Sequence, residues 1–183
     1  LQANHVRFKI SEFKNKANPK AYLYEVFKDF GFTEWHDVLH LLDAQSGKQV
    51  LSEQWRLIKD REYLLLSEIG VEPSQALRIS EVEKEINAPF ATILFKEVDA
   101  ISETSKQIIY VDKGTLQFPL TLRKWGEGDV FYPIGMSGKK KLSKYFKDEK
   151  LSLLDKENTW LLCSGSEIIW VVGKRADDRF KVT

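Results

Sequence analysis

The sequence predicts an α+β chain, with an N-terminal αα-hairpin region followed by a β-rich C-terminal domain carrying one short basic helix. Three observations predict it. Apolar residues recur at three- and four-residue spacing within the first 44 residues, and short apolar runs divided by polar turns dominate afterwards. Late in the chain, Leu142, Tyr145 and Phe146 share one helical face beside Lys139, Lys140, Lys141 and Lys144.

Residues 1 to 44 read as helical. Asn18-Pro19 supplies a start, with Asn18 as N-cap and Pro19 at the first helical position. Leu23, Val26, Phe27 and Phe30 then define an apolar face, and Gly31 stops the helix. Thr33 is placed to cap a second helix with Trp35, Val38, Leu39 and Leu42 on its apolar face. After Gln45-Ser46-Gly47-Lys48, Gln54 to Ser67 reads as a β-hairpin turning at Lys59-Asp60-Arg61-Glu62. Strands are expected at Leu77-Arg78-Ile79, Thr92 to Phe95 and Gln107 to Val111, with Ser80 to Asn87 a loop. No composition shift marks a linker; a boundary near residue 105 divides the chain into 1–105 and 106–183.

In the last third, Phe118 to Trp125 reads as a strand, Gly126-Glu127-Gly128-Asp129 as a turn and Lys139 to Lys150 as the basic helix. Trp160 to Cys163 and Ile168 to Val172 flank Ser164-Gly165-Ser166-Glu167, the pattern of a tight hairpin with a Gly-X turn.

With 183 residues, 43% apolar and 30% charged, the chain has the composition of a soluble globular protein. No apolar run approaches the roughly 20 residues that span a bilayer, and no secretory leader opens the chain, so a cytoplasmic protein is expected. Cys163, the single cysteine, lies in an apolar run and is expected to be a buried thiol. The chain opens Leu1-Gln2-Ala3-Asn4 and its only methionine is Met136, which predicts a piece whose upstream part has been removed. From Phe118 onward there are 13 Lys/Arg against 9 Asp/Glu, whereas the rest holds 15 against 18. A basic C-terminal third suggests a polyanion partner.

Catalytic candidates are few. His36 and His40 stand at i, i+4 with Asp37 beside them, but no third ligand is evident, so surface histidines and no metal are expected. Cys163 has no histidine neighbour in its hairpin. Gly135-Met136-Ser137-Gly138-Lys139 has two residues, not four, between its first glycine and the Gly-Lys pair, which rules out a Walker loop. The basic features carry more chemistry. Lys139 to Lys141 are expected at a helix N-terminus, where backbone N–H groups favour an anion. Arg123, Arg175 and Arg179 add cations near strand ends, with Asp177 or Asp178 a competing ion-pair partner for Arg179. Trp125, Tyr132, Tyr145 and Phe146 are mostly core, with one available to stack on a base or ribose.

Phe118-Pro119-Leu120-Thr121-Leu122-Arg123, Trp125, Gly128-Asp129, Phe131, Pro133, Gly135-Met136, Gly138 and Lys140-Lys141-Leu142-Ser143 follow in an ordered pattern. Phe146, Ile168, Trp170-Val171, Gly173, Arg175 and Asp178-Arg179-Phe180 complete it. This pattern resembles the C-terminal domain of bacterial tRNA(Ile)-lysidine synthetases. Leu23-Tyr24-Glu25, Gly31-Phe32, Ser46-Gly47-Lys48, Arg56-Leu57 and Asp60-Arg61 resemble the family's middle region more loosely.

The resemblance implies the tRNA-holding part of an ATP-dependent ligase that attaches lysine to the anticodon wobble cytidine of isoleucine tRNA. The family's Ser-Gly-Gly-x-Asp-Ser loop does not occur in this sequence. No catalytic residue is therefore expected here, and ATP and magnesium would bind a separate N-terminal catalytic domain, itself an implied partner. Lys139, Lys140, Lys141 and Lys144, then Arg123, Arg175 and Arg179, are the expected tRNA contacts. The alternative is a dimerisation or interdomain packing module using an exposed strand of the Trp160 to Val172 hairpin, giving a homodimer without RNA contact.

Overall fold

A computed structural model describes residues 5–70, 75–103 and 105–183. The chain divides into two compact units, Leu1–Glu72 and Pro73–Thr183.

The first unit begins with a strand where a helix was expected. Val6–Lys9 (β1) alternates apolar and basic residues and pairs antiparallel with Tyr63–Glu68 (β4), Val6 opposite Leu66. The helices follow as Ile10–Lys14 (α1), Pro19–Phe27 (α2) and Trp35–His40 (α3). Asn18 caps α2 through its side-chain oxygen, which accepts from the Ala21 N–H at 3.1 Å. Gly31, at φ 75°, takes the left-handed conformation that ends the following turn. Thr33 does not cap α3: Glu34 holds the N-cap position without a side-chain bond, and only the Thr33 carbonyl accepts, from Trp35 N–H. Gln49–Leu51 (β2) and Trp55–Asp60 (β3) complete a sheet ordered β1-β4-β3-β2. Phe13, Leu23, Phe27, Val38, Leu41, Leu57, Leu64 and Leu66 form its core.

The second unit is built on a five-stranded antiparallel sheet. Its strands are Leu77–Ile79 (β5), Leu120–Lys124 (β8), Trp160–Ser164 (β11), Glu167–Val171 (β12) and Arg175–Ala176 (β13), in the order β13-β12-β11-β8-β5. Because β5 pairs along β8, Ile79 opposite Leu120, residues 77–79 belong to this unit. The division therefore falls at Glu72/Pro73 and not near 105. Glu85–Ala88 (β6) and Ala91–Leu94 (β7) form a hairpin where Ser80 to Asn87 was expected to be loop. Gln107 to Val111 is no strand. Apart from an isolated bridge between Ser105 and Ile108, it runs as loop, with Ile109 and Val111 packed on the core.

The sheet is buried on both faces, which explains unbroken apolar runs where one wet face would impose alternation. Trp160 and Leu162 join Ile79, Leu120, Leu122 and Phe180 on one side. Leu161, Cys163, Ile168 and Val171 meet Phe131, Leu142, Tyr145 and Phe146 on the other. The β11–β12 hairpin has β8 on one flank and β13 on the other, so it offers no exposed strand for a partner. The expected dimerisation strand is thereby corrected.

The basic helix starts late. Lys140–Lys141 (β10) pairs with Val130–Phe131 (β9), and the helix runs only over Leu142–Asp148 (α4). Leu153–Glu157 (α5) leads into β11.

Candidate nucleic-acid interface

Burial of Leu142, Tyr145 and Phe146 orients α4, turning Ser143, Lys144 and Lys147 to solvent. Lys141, on β10, and Lys139, just before that strand, are also exposed. Among the described residues none of Lys139, Lys141, Lys144 and Lys147 has an acidic partner within ion-pair distance. Lys140 differs. It is half-buried, and its Nζ lies 2.8 Å from Asp148 Oδ2, which holds that carboxyl below the usual carboxylate range.

The expected anion site at the helix N-terminus is altered. Lys141 is the N-cap and carries no side-chain cap, while Lys140 precedes the helix as part of β10 and Lys139 lies before that strand. The Leu142 N–H is already donated to the Asp129 carbonyl at 2.8 Å.

The arginines are engaged elsewhere. Arg123 forks onto Asp129, Nη1 to Oδ2 at 2.8 Å and Nη2 to Oδ1 at 2.7 Å, and Nη1 also donates to the Lys124 carbonyl. Asp129 further accepts the Gly126 N–H at 2.7 Å, so the carboxylate ties the 126–129 turn to the end of β8. Burial raises the Asp129 pKa, but hydrogen bonds from Arg123 and Gly126 with the guanidinium charge outweigh it and leave it below the ordinary value. The Asp129 hydrogen bonds push the Arg123 pKa up in turn.

Arg179 is held more tightly. Its Nε and Nη2 each donate to the buried Asp177 carboxylate at 2.9 Å, Nη1 pairs with Glu167, and the guanidinium lies 4.5 Å from the Tyr132 ring centroid. The bulge between β11 and β12 helps position that carboxylate. Leu162 faces Trp170 and Cys163 faces Ile168, so Ile169 is the extra residue, and its carbonyl accepts the Asp177 N–H at 2.8 Å. Asp178 pairs instead with Lys181 at 3.0 Å. Arg175 Nη1 donates to the Ile134 carbonyl at 3.1 Å.

The expected stacking aromatics are similarly committed. Tyr145 and Phe146 are buried, Trp125 packs edge-on against Phe146 with centroids 5.0 Å apart, and Tyr132 lies beside Arg179. Cys163 is buried, as expected, and burial pushes its thiol pKa up against a partial counter-effect of Arg123. Sequence reading missed Asp129, Asp148 and Glu167 as partners of these cations, whereas of the two acids it offered Arg179, Asp177 is the one that pairs. Only the 177–179 proximity was visible, because the other pairings depend on strand register and turn geometry.

Fold and site thus define a two-unit α+β protein whose second unit presents unpaired lysines from a scaffold of internally paired cations. No helix among the described residues is long and apolar enough to cross a membrane.

Residues 2–69 match the family model described as "TilS substrate binding domain", and residues 120–183 match "TilS substrate C-terminal domain". A tRNA(Ile)-lysidine synthase from Parabacteroides distasonis is 44% identical over 170 residues, covering 90% of this chain and 39% of the relative. The Bacteroides thetaiotaomicron enzyme of the same name is 36% identical over 178 residues, covering 95% and 39%. The chain belongs to the tRNA(Ile)-lysidine synthase family, and it spans about two fifths of the length of these curated relatives. A solved "Crystal structure of TILS C-terminal domain" superposes with TM-score 0.50 at 20% identity, over 60% of this chain and 87% of that one, a likeness of fold.

Proposed function

We propose that this chain holds the tRNA substrate for a lysidine-forming ligase and itself performs no chemistry. The observation that carries the reading is the unpaired lysine group around α4, Lys139, Lys141 and Lys144, set beside family models named for substrate binding. A-form RNA hides its base edges in a deep groove, so a protein grips it by phosphates and 2′-hydroxyls, which mobile ammonium groups suit. Lys140, Arg123, Arg175 and Arg179 act mainly by shaping that surface, since acids or carbonyls already occupy them. Catalysis, with ATP and magnesium, is assigned to a separate domain of the enzyme that attaches lysine to the wobble cytidine of isoleucine tRNA.

Titration of the chain with isoleucine and methionine tRNAs at two salt concentrations tests this. Phosphate binding weakens linearly in log–log terms, by about 0.9 per neutralised phosphate on B-form DNA and by a similar order on RNA. The triple variant Lys139→Ala, Lys141→Ala, Lys144→Ala is expected to bind more weakly and to flatten the slope by about 2–3. Its melting behaviour should stay that of the parent, because all three side chains are exposed. Unchanged affinity and slope would remove these lysines from the interface.

A further inference from the structure

The first unit carries a side-chain cluster that tRNA holding does not use. His36 and His40 stand one turn apart on α3 with ring centroids 4.0 Å apart, and Asp37 Oδ1 lies 3.8 Å from His36 Nδ1. One ligand atom from each of the three lies within 4.8 Å of the others, and all three residues are exposed. Val38, fully buried between them in sequence, together with Leu41 and Leu42 anchors α3 to the core and fixes the opposite face outward.

Two histidines at i, i+4 are the spacing by which a helix presents a pair of imidazoles to one zinc ion. Zinc–nitrogen and zinc–oxygen bonds of about 2.0–2.2 Å place neighbouring ligands of a tetrahedral ion roughly 3.3–3.5 Å apart. Closing from 4.8 Å asks only for rotamer adjustment of exposed side chains. Two imidazoles with one carboxylate suit a borderline transition cation, whereas magnesium and calcium prefer all-oxygen shells.

Against the expectation of surface histidines without a metal, we propose that Asp37 is the third donor and that His36, Asp37 and His40 form an open surface site for a divalent transition cation of the zinc class. Three protein donors leave at least one coordination position to water or an anionic group.

Isothermal titration of the whole chain with zinc chloride, with magnesium chloride as the oxygen-preferring control, tests it. One equivalent of zinc should bind saturably and magnesium should not. The double variant His36→Ala, His40→Ala should lose the binding, and Asp37→Asn should weaken it about tenfold or more. His5→Ala, which removes the remaining histidine, should leave it unchanged. Absence of saturable zinc binding, its survival in the double variant, its loss in His5→Ala, or an unaltered affinity in Asp37→Asn would overturn the three-donor site.

Discussion

Arg123 and Arg179 keep their charge at any physiological pH, yet the fold directs that charge inward. Each guanidinium faces a carboxylate with two parallel donors, the geometry in which arginine binds an acid most strongly. The consequence at Asp129 is measurable. Its pKa is depressed in the folded chain, so the pair stabilises the fold above the unfolded value of about 4. That contribution is lost as pH falls through the folded value. Asp129→Asn removes the charge and leaves Arg123 with a poorer acceptor. A loss of about 1.5–3 kcal/mol is expected at neutral pH, the range for hydrogen bonds to charged groups. Urea denaturation of parent and variant should show the difference shrinking below about pH 4. A gap that stays constant across the acid range would mean that the pair is not the source.

At the scale of elements, what the sequence makes legible depends on whether the signal is local. The hairpin of β11 and β12 was readable because two apolar runs flank a Gly-X turn, and Gly165 does adopt φ 55° there. Asn18-Pro19 was readable because an N-cap acts within four residues. β1 was not, since a four-residue strand beside helices is defined by its partner β4. Nor was the start of α4, because Lys140 and Lys141 are recruited by Val130 and Phe131 before helix can propagate back through them. Asp129 on Arg123 and Glu167 on Arg179 are legible only once register and turn geometry are known, whereas Asp177, two residues from Arg179, is legible locally. α5 shows a local signal overlooked. Ser152 accepts the Asp155 N–H at 3.0 Å, and the Asp155 carboxylate returns bonds to the Ser152 N–H and hydroxyl. The Asp155 carbonyl also accepts the Thr159 hydroxyl at 2.6 Å, joining the cap to the approach of β11. Ser152→Ala should therefore cost about 1 kcal/mol, within a range of roughly 0.5–2. The loss should appear as a lower urea midpoint with an unchanged slope. An unchanged midpoint would show that α5 holds its place by Leu154 packing alone.

At the scale of the whole chain, each unit owns a hydrophobic core, which is the physical requirement for folding alone. The position of the division has direct consequences for truncation. A piece covering 73–183 keeps β5 against β8, and with it Ile79, which is 1% exposed. It also keeps Ile86, Phe90, Ile93 and Phe95, which pack on the same core. A piece beginning at 106 loses all five side chains and bares the outer edge of β8. Removing one buried isoleucine side chain costs about 2–5 kcal/mol. A domain of this size has only about 5–15 kcal/mol of stability. Cooperative thermal unfolding is thus expected for 73–183. For 106–183 we expect a broad or absent transition, loss of amide-exchange protection along Leu120–Lys124 and a tendency to associate through the unpaired edge. Circular dichroism melts and hydrogen exchange on the two pieces decide the matter. If 106–183 melts as sharply and as high as 73–183, the strand at Leu77–Ile79 is an accessory and the unit begins near residue 105. If it collapses, those three residues close the sheet on which α4 and its lysines are mounted.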